Sequence, residues 1–171
     1  MSTDPFRTLG LPARFDLDPQ EIERRYRELQ KALHPDRFVG ASAQERRISL
    51  SKAVEVNEAY RTLRDDLARG RALLALRGHD VKDGQPADPE FLMDVMERRE
   101  ALSEARSARD VEKARGLAER VRRENDRARQ EITTLFEREA EPARIADVLS
   151  KMRYYRRFLD EVEVIEEEAL S

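Results

Sequence analysis

The apolar residues of this chain recur at helical spacing along most of its length. Ile22, Tyr26, Leu29 and Leu33 follow at steps of four, three and four. Ala53, Val56, Tyr60, Leu63 and Leu67 follow at three, four, three and four. Both patterns predict amphipathic helices. Between them lies Leu33-His34-Pro35-Asp36-Arg37-Phe38. Pro35 cannot continue a helix and biases His34 away from helical angles, so the histidine and aspartate are presented from a restricted bend. A short first helix bearing Phe6, Leu9 and Leu11 is expected to end at Gly10 and Pro12. Asp18, Pro19 and Glu21 read as cap, first helical position and capping-box partner of the helix that runs to about Leu33. A loop with Gly40 then leads to a helix over about 42–63, antiparallel to the previous one because the connection is short. Residues 64–77 read as a further helix, with Gly70 a weak point inside it and Gly78 its stop.

Gly78, Gly84, Pro86 and Pro89 break the pattern and predict a domain boundary, giving domains 1–77 and 89–171 with a linker over 78–88. Three more helical patterns follow. Asp88-Pro89 opens the first, whose inward stripe is Phe91, Val95 and Leu102. The second, from about Asp110, carries Ala114, Leu117, Val121, Ala128, Ile132 and Leu135, and Gly116 costs it roughly 1 kcal/mol against Ala. The third starts at Pro142 and carries Ile145, Val148, Met152, Tyr155, Leu159 and Val162. Its acidic end, 161–168, is expected to fray. Short links predict an up-down-up three-helix bundle.

Composition sharpens this into an all-α expectation. Of 171 residues 39% are apolar and 40% charged, so apolar groups are scarce and must be concentrated on stripes. The net charge of −3 divides into +2 over residues 1–75 and −5 over 76–171. Neither half has the basic excess of a nucleic-acid binder, and the split suggests two surfaces meeting two partners. With no cysteine and only His34 and His79, neither disulfides nor Cys- or His-rich metal sites are available, and no cofactor is expected. Few aromatics and no Trp argue against a large enzyme-like pocket. The first residues show no secretory pattern and no apolar run approaches ~20 residues, so a cytoplasmic, membrane-free protein is expected.

Two surfaces carry candidate function. Arg24, Arg25, Arg27 and Lys31 lie largely off the second helix's stripe, and Arg37 follows in the bend. They read either as a solvated face partnered by Glu21, Glu23 and Glu28 or as a docking strip for an acidic partner. On the first bundle helix, Met93, Met96, Glu97, Glu100 and Glu104 share one face, with Leu92 beside it. A Met-and-Leu patch rimmed by carboxylates suits an adaptable protein-binding site. The same residues could instead fill the bundle core or pack on the neighbouring domain.

Three stretches make the first 75 residues or so resemble a J-domain, the module with which co-chaperones activate DnaK-class chaperones. They are Asp4-Pro5-Phe6-Arg7-Thr8-Leu9-Gly10-Leu11, Ile22-x-x-x-Tyr26-x-x-Leu29 before His34-Pro35-Asp36, and Val56-Asn57-Glu58-Ala59-Tyr60-Arg61-Thr62-Leu63-Arg64-Asp65 after it. Phe91-Leu92-Met93, Glu97-Arg98-Arg99-Glu100-x-Leu102 and Arg156-Arg157-Phe158-Leu159-Asp160 extend the likeness. Nearly the whole chain is then similar to the HscB family, the J-domain co-chaperones of iron–sulfur cluster assembly. That resemblance implies an L-shaped, all-α protein with a J-domain hairpin and a three-helix bundle. It implies that the bundle binds the scaffold protein IscU through Leu92, Met93, Met96, Glu97, Glu100, Glu104 and Phe158. It implies that His34, Pro35 and Asp36, with the nearby cations, engage the DnaK-class chaperone HscA and stimulate its ATPase. Met96 stands where Leu is commoner in the family, and Arg37 where Lys is commoner, which keeps the charge and changes its geometry. A monomeric bacterial adaptor without chemistry of its own is expected. The rivals are a J-domain protein with another client, and an enzyme using His34 and Asp36 as an acid–base pair. Pro35 is expected to point those two side chains apart.

Overall fold

Local signals set the helix limits, not always the ones anticipated. The computed structural model describes residues 4–80 and 88–170; among these it forms seven α-helices and a 3-10 turn, with no strand. α1 (Pro5–Leu9) is capped by Asp4, whose carboxylate accepts from the Phe6 and Arg7 amides at 2.9 and 3.2 Å. It stops at Gly10, which takes the left-handed φ of 66° that a side chain would resist. α2 (Pro19–Ala32) is capped by Asp18 through the Gln20 amide at 2.9 Å. The capping box expected from Glu21 is not present, because the Glu21 carboxylate pairs with Arg24 at 2.5 Å. A box forms instead at α3 (Ala43–Arg64), where Ser42 and Glu45 exchange hydrogen bonds of 3.2 and 2.8 Å. Asp65 ends α3 and caps α4 (Asp66–Leu76).

The chain divides into two compact units, Met1–Val81 and Lys82–Ser171. In the first, the core lies at one end of the α2–α3 hairpin. Phe6, Leu9, Ile22, Leu63, Leu73 and Leu74 are sealed there, with Leu11, Phe15 and Leu17 from the irregular stretch after α1. Of the stripe expected on α2, only Ile22 is buried; Tyr26, Leu29 and Leu33 are half-buried. Beyond Ile22 the two helices are joined by a clasp that is partly polar. The Tyr26 and Tyr60 rings stack at 3.9 Å and 7°. The Tyr26 hydroxyl donates to Asn57 at 2.9 Å and accepts from Gln30 at 2.6 Å, and the Tyr60 hydroxyl donates to Glu23. Such rings bury their bodies while the hydroxyls stay hydrogen-bonded.

One buried cation completes this unit. Arg69, on α4, is 4% exposed. Its guanidinium donates to the Phe15 and Leu63 carbonyls, each at 2.7 Å, and to Asp66 at 2.6 Å, and it sits 4.7 Å from the Phe15 ring centre. It thereby ties the irregular stretch, the end of α3 and the start of α4 together. A buried charge persists only where it is paired and hydrogen-bonded to this degree.

The second unit is α5 (Pro89–Ser107), α6 (Val111–Glu137) and α7 (Pro142–Leu170). The links carry no glycine. Arg109 and Glu139 adopt the left-handed φ values of 53° and 51°. The amides of Asp110 and Ala140 then reach back to the Ala105 and Leu135 carbonyls at 2.8 and 3.0 Å, the Schellman arrangement. Ala105, Ala114, Ala118, Val121, Ile132, Ile145, Met152, Val162 and Ile165 line the sealed interior. Two stripe positions differ from expectation. Ala118 is buried where Leu117 is half-buried, and Phe158 is buried where Leu159 is half-buried. Steps of three and four both fit a helix; the aromatic ring takes the interior beside Tyr154. Nor does the acidic end of α7 unwind: it stays helical to Leu170, with Glu166 and Glu168 paired to Arg115 and Arg106 at 2.6 and 2.5 Å. The anticipated linker segment 81–87 and residues 1–3 lie outside the described residues.

Candidate functional sites

The bend after α2 is built to be displayed. Residues Pro35–Phe38 form a single 3-10 turn capped by His34, whose Nδ1 accepts the Asp36 amide at 3.3 Å. Behind it the buried Ser49 hydroxyl donates to the Leu33 carbonyl at 3.4 Å, fastening the end of α2 to α3. The turn's own side chains point to solvent: His34 is 59% exposed and Asp36 87%. Contrary to expectation, Pro35 does not separate them. His34 Nδ1 lies 3.5 Å from Asp36 Oδ2. That nitrogen already accepts a backbone amide. No cluster of three or more His, Cys, Asp or Glu able to hold a metal occurs among the described residues.

The cations around the turn are not equivalent. Arg24 bridges Glu21 and Glu28 at 2.5 and 2.6 Å, and Arg27 pairs with Glu23 at 2.7 Å. The Arg24 hydrogen bond lowers the Glu21 carboxyl below its ordinary value, and the Tyr60 hydroxyl, followed by Arg27, lowers that of Glu23. Arg25 is committed elsewhere. Its Nε donates to the Leu9 carbonyl at 3.1 Å, and its guanidinium lies where a Cβ on Gly10 would come within 2.4 Å. It therefore closes the C-terminus of α1 while its guanidinium also pairs with Glu28 at 3.2 Å, the carboxylate that Arg24 holds. Lys31 and Arg37 are exposed and make no ion pair among the described residues. Beside the turn, a groove of about 660 Å³ runs between α2 and α3, floored by Leu33, Ala53 and Val56 and edged by Arg27, Lys31 and His34.

On α5 the apolar residues fall on two sides. Phe91 and Leu102 face the bundle and are buried. Leu92, Met93 and Met96 are 47%, 64% and 71% exposed. Within their own unit, the bundle core does not cover them. Glu97, Glu100 and Glu104 follow along the same side, all exposed, with Glu104 holding Lys113 at 2.9 Å. Phe158 is 2% exposed, and with Phe91, Leu92 and Val95 it lines a groove between α5 and α7. Nearby, burial pushes the Tyr155 hydroxyl up to about 12, with Glu124 adding to the shift.

Sequence reasoning missed Arg69, Ser49 and the Arg25–Leu9 contact. All three bond to backbone carbonyls distant in the chain, for which local periodicity carries no signal. The exposed positions of Asp36, Met93 and Met96 follow from local pattern, which marks a break at the first and an apolar excess at the other two.

Comparison with known proteins agrees with both halves. Residues 4–71 match the DnaJ domain model and residues 87–163 the HSCB C-terminal oligomerisation domain model. The chain is 34% identical over 169 residues to the co-chaperone protein HscB homolog of Haemophilus influenzae, covering 96% of this chain and 95% of that protein. It is 37% identical over 159 residues to that of Burkholderia multivorans, covering 92% and 90%. Among solved structures, chaperone HscB from Vibrio cholerae superposes with a TM-score of 0.84 at 30% identity, over 98% of this chain and 99% of that one. Human co-chaperone protein HscB gives 0.86 at 28% identity, over 96% and 83%. A J-domain with a displayed His-Pro-Asp turn, an all-helical C-terminal unit and full-length relatives in each comparison lead to one conclusion: the chain belongs to the HscB family of J-domain co-chaperones, which are not enzymes.

Proposed function

We propose that this co-chaperone binds the iron–sulfur scaffold protein IscU and delivers it to the DnaK-class chaperone HscA, stimulating that chaperone's ATPase during iron–sulfur protein maturation. The observation that carries this is the open Leu92, Met93 and Met96 patch, an apolar surface on a helix whose inward side is already satisfied. Monomeric proteins rarely leave such residues adjacent and uncovered without a partner for them. In this reading Glu97, Glu100 and Glu104 rim the contact and Phe158 supports it from below.

The J-domain, 1–77, acts through His34, Pro35 and Asp36. Asp36 accepts charge-assisted hydrogen bonds from a cation of the chaperone and perturbs contacts that restrain hydrolysis. Lys31 and Arg37 are free to steer the encounter. Arg24 and Arg27 can join, since exposed ion pairs of about 0–1 kcal/mol exchange partners readily. Arg25 contributes by holding α1. The 78–88 linker tethers the two events, raising the local concentration of scaffold at the chaperone. The protein works as a cytoplasmic monomer; no helix of the described residues is long and apolar enough to cross a membrane. Titrating the chaperone's ATPase with this protein, with and without scaffold, tests the proposal. Stimulation by the protein alone and a further rise with scaffold are expected; no response to scaffold would point to another client.

A further inference from the structure

The chain offers an oxidant few places to act. It contains no cysteine, so methionine is the residue type left to take up oxygen reversibly. Its methionines are not equally open. Met152, on α7, is 3% exposed inside the bundle. Met93 and Met96 are 64% and 71% exposed, one turn apart on the same side of α5. Susceptibility follows access, so the fold sets these two thioethers apart from the buried one. Met1 lies outside the described residues. Each thioether of the pair also has a carboxylate one turn further along the helix. Glu97 follows Met93 and Glu100 follows Met96, and both are exposed. Those charges repel an anionic oxidant and leave uncharged hydrogen peroxide free to approach.

We propose that Met93 and Met96 form a paired, reversible oxidation site for hydrogen peroxide, which switches the α5 surface between an apolar and a polar form. The thioether sulfur attacks one peroxide oxygen. The S–O bond forms as the O–O bond breaks, and the proton on the transferred oxygen passes to the leaving hydroxide, which departs as water. Each sulfur gives up two electrons and the peroxide takes them. A dithiol acting through a methionine sulfoxide reductase reverses the step, returning the thioether, water and a disulfide. The thioether is soft and apolar, whereas the sulfoxide carries a polar acceptor oxygen. Against an apolar partner surface that oxygen finds no donor, so contact is disfavoured. Neither side chain lies in the core, so the bundle itself tolerates the change. The oxidation site stands on exposure alone; its effect on scaffold binding rests on the reading proposed above.

The test treats the full-length protein with hydrogen peroxide, maps the added oxygen by peptide mass, and titrates the product calorimetrically with purified IscU. Met93 and Met96 are expected to take up one oxygen each at least about tenfold faster than Met152, with helix content by circular dichroism unaltered. The oxidised protein is expected to bind IscU about tenfold or more weakly, and methionine sulfoxide reductase with dithiothreitol to restore the affinity. A Met93→Leu/Met96→Leu variant, compared only with itself before and after peroxide, is expected to show no change. Equal oxidation of Met93, Met96 and Met152 would overturn the site. Oxidation confined to the pair that leaves affinity as it was, or an equal loss of affinity in the Leu variant, would overturn the switch. If the untreated protein does not bind IscU, the scaffold reading falls and the switch with it, while the mass map still decides the oxidation site.

Discussion

Asp36 is the residue on which the proposed stimulation turns. It is 87% exposed and does not support the fold, so Asp36→Asn removes a charge without disturbing packing. The variant is expected to abolish stimulation of the chaperone's ATPase while leaving scaffold affinity as it was; stimulation that persists would remove the turn from the mechanism. Arg69 is the opposite case, a charge whose work is wholly structural. Arg69→Met fills similar volume but removes the guanidinium hydrogen bonds that the Phe15 and Leu63 carbonyls accept and the pairing with Asp66. A loss of about 3 kcal/mol is expected for the J-domain, read as a lowered denaturant midpoint. The two residues also differ in legibility. Asp36 stands beside a proline between two helical patterns, and that break is visible along the chain. Arg69 sits in a helical run among ordinary charges, and only folding brings Phe15 to it across 54 positions.

At the scale of single helices, α5 and the two bundle links make separable predictions. Met93→Ala with Met96→Ala trims side chains that touch no core, so stability is expected to stay within about 0.5 kcal/mol of the parent. Scaffold affinity is expected to fall at least tenfold, with basal activation of the chaperone retained; an unchanged binding isotherm would exclude the patch. The links store strain. Arg109 and Glu139 hold left-handed backbone that L side chains resist, so Arg109→Gly and Glu139→Gly are each expected to stabilise the bundle by about 0.5–1 kcal/mol, less the entropy glycine adds to the unfolded chain. Thermal unfolding of the two variants reads this directly. Neither turn carries the glycine that usually announces such a stop. The periodicity placed the helices; it did not reveal how they end. The same limit explains Phe158 and Leu159. Helical spacing admits either as the inward residue, and the choice fell to the ring that packs at 6.2 Å from Tyr154.

For the whole molecule, the proposed advantage of one chain is the tether. The two units are compact in themselves, so severing the chain within 81–87 is expected to yield two helical pieces. Mixed in trans, the J-domain piece should still stimulate the chaperone and the bundle piece should still bind scaffold. Their joint effect at micromolar concentration should vanish, because joining two binding units through a short stretch of chain supplies effective concentrations of order millimolar. Undiminished synergy from the mixture would show that the tether does not matter. The all-helical architecture, both helical groups, the displayed turn and the excess apolar side of α5 were all inherent in the amino-acid order. Each is a consequence of local rules: helical periodicity, proline's fixed φ, caps one to three residues from the helix they serve. Folding decided the rest. It closed the hairpin with a tyrosine stack, tied Arg25 to the Leu9 carbonyl as well as to Glu28, buried Arg69 and packed Phe158 beside Tyr154. Those outcomes depend on which side chains win contacts between segments far apart in the chain, where burial, pairing and fit compete and the repeat of a single helix has nothing to say.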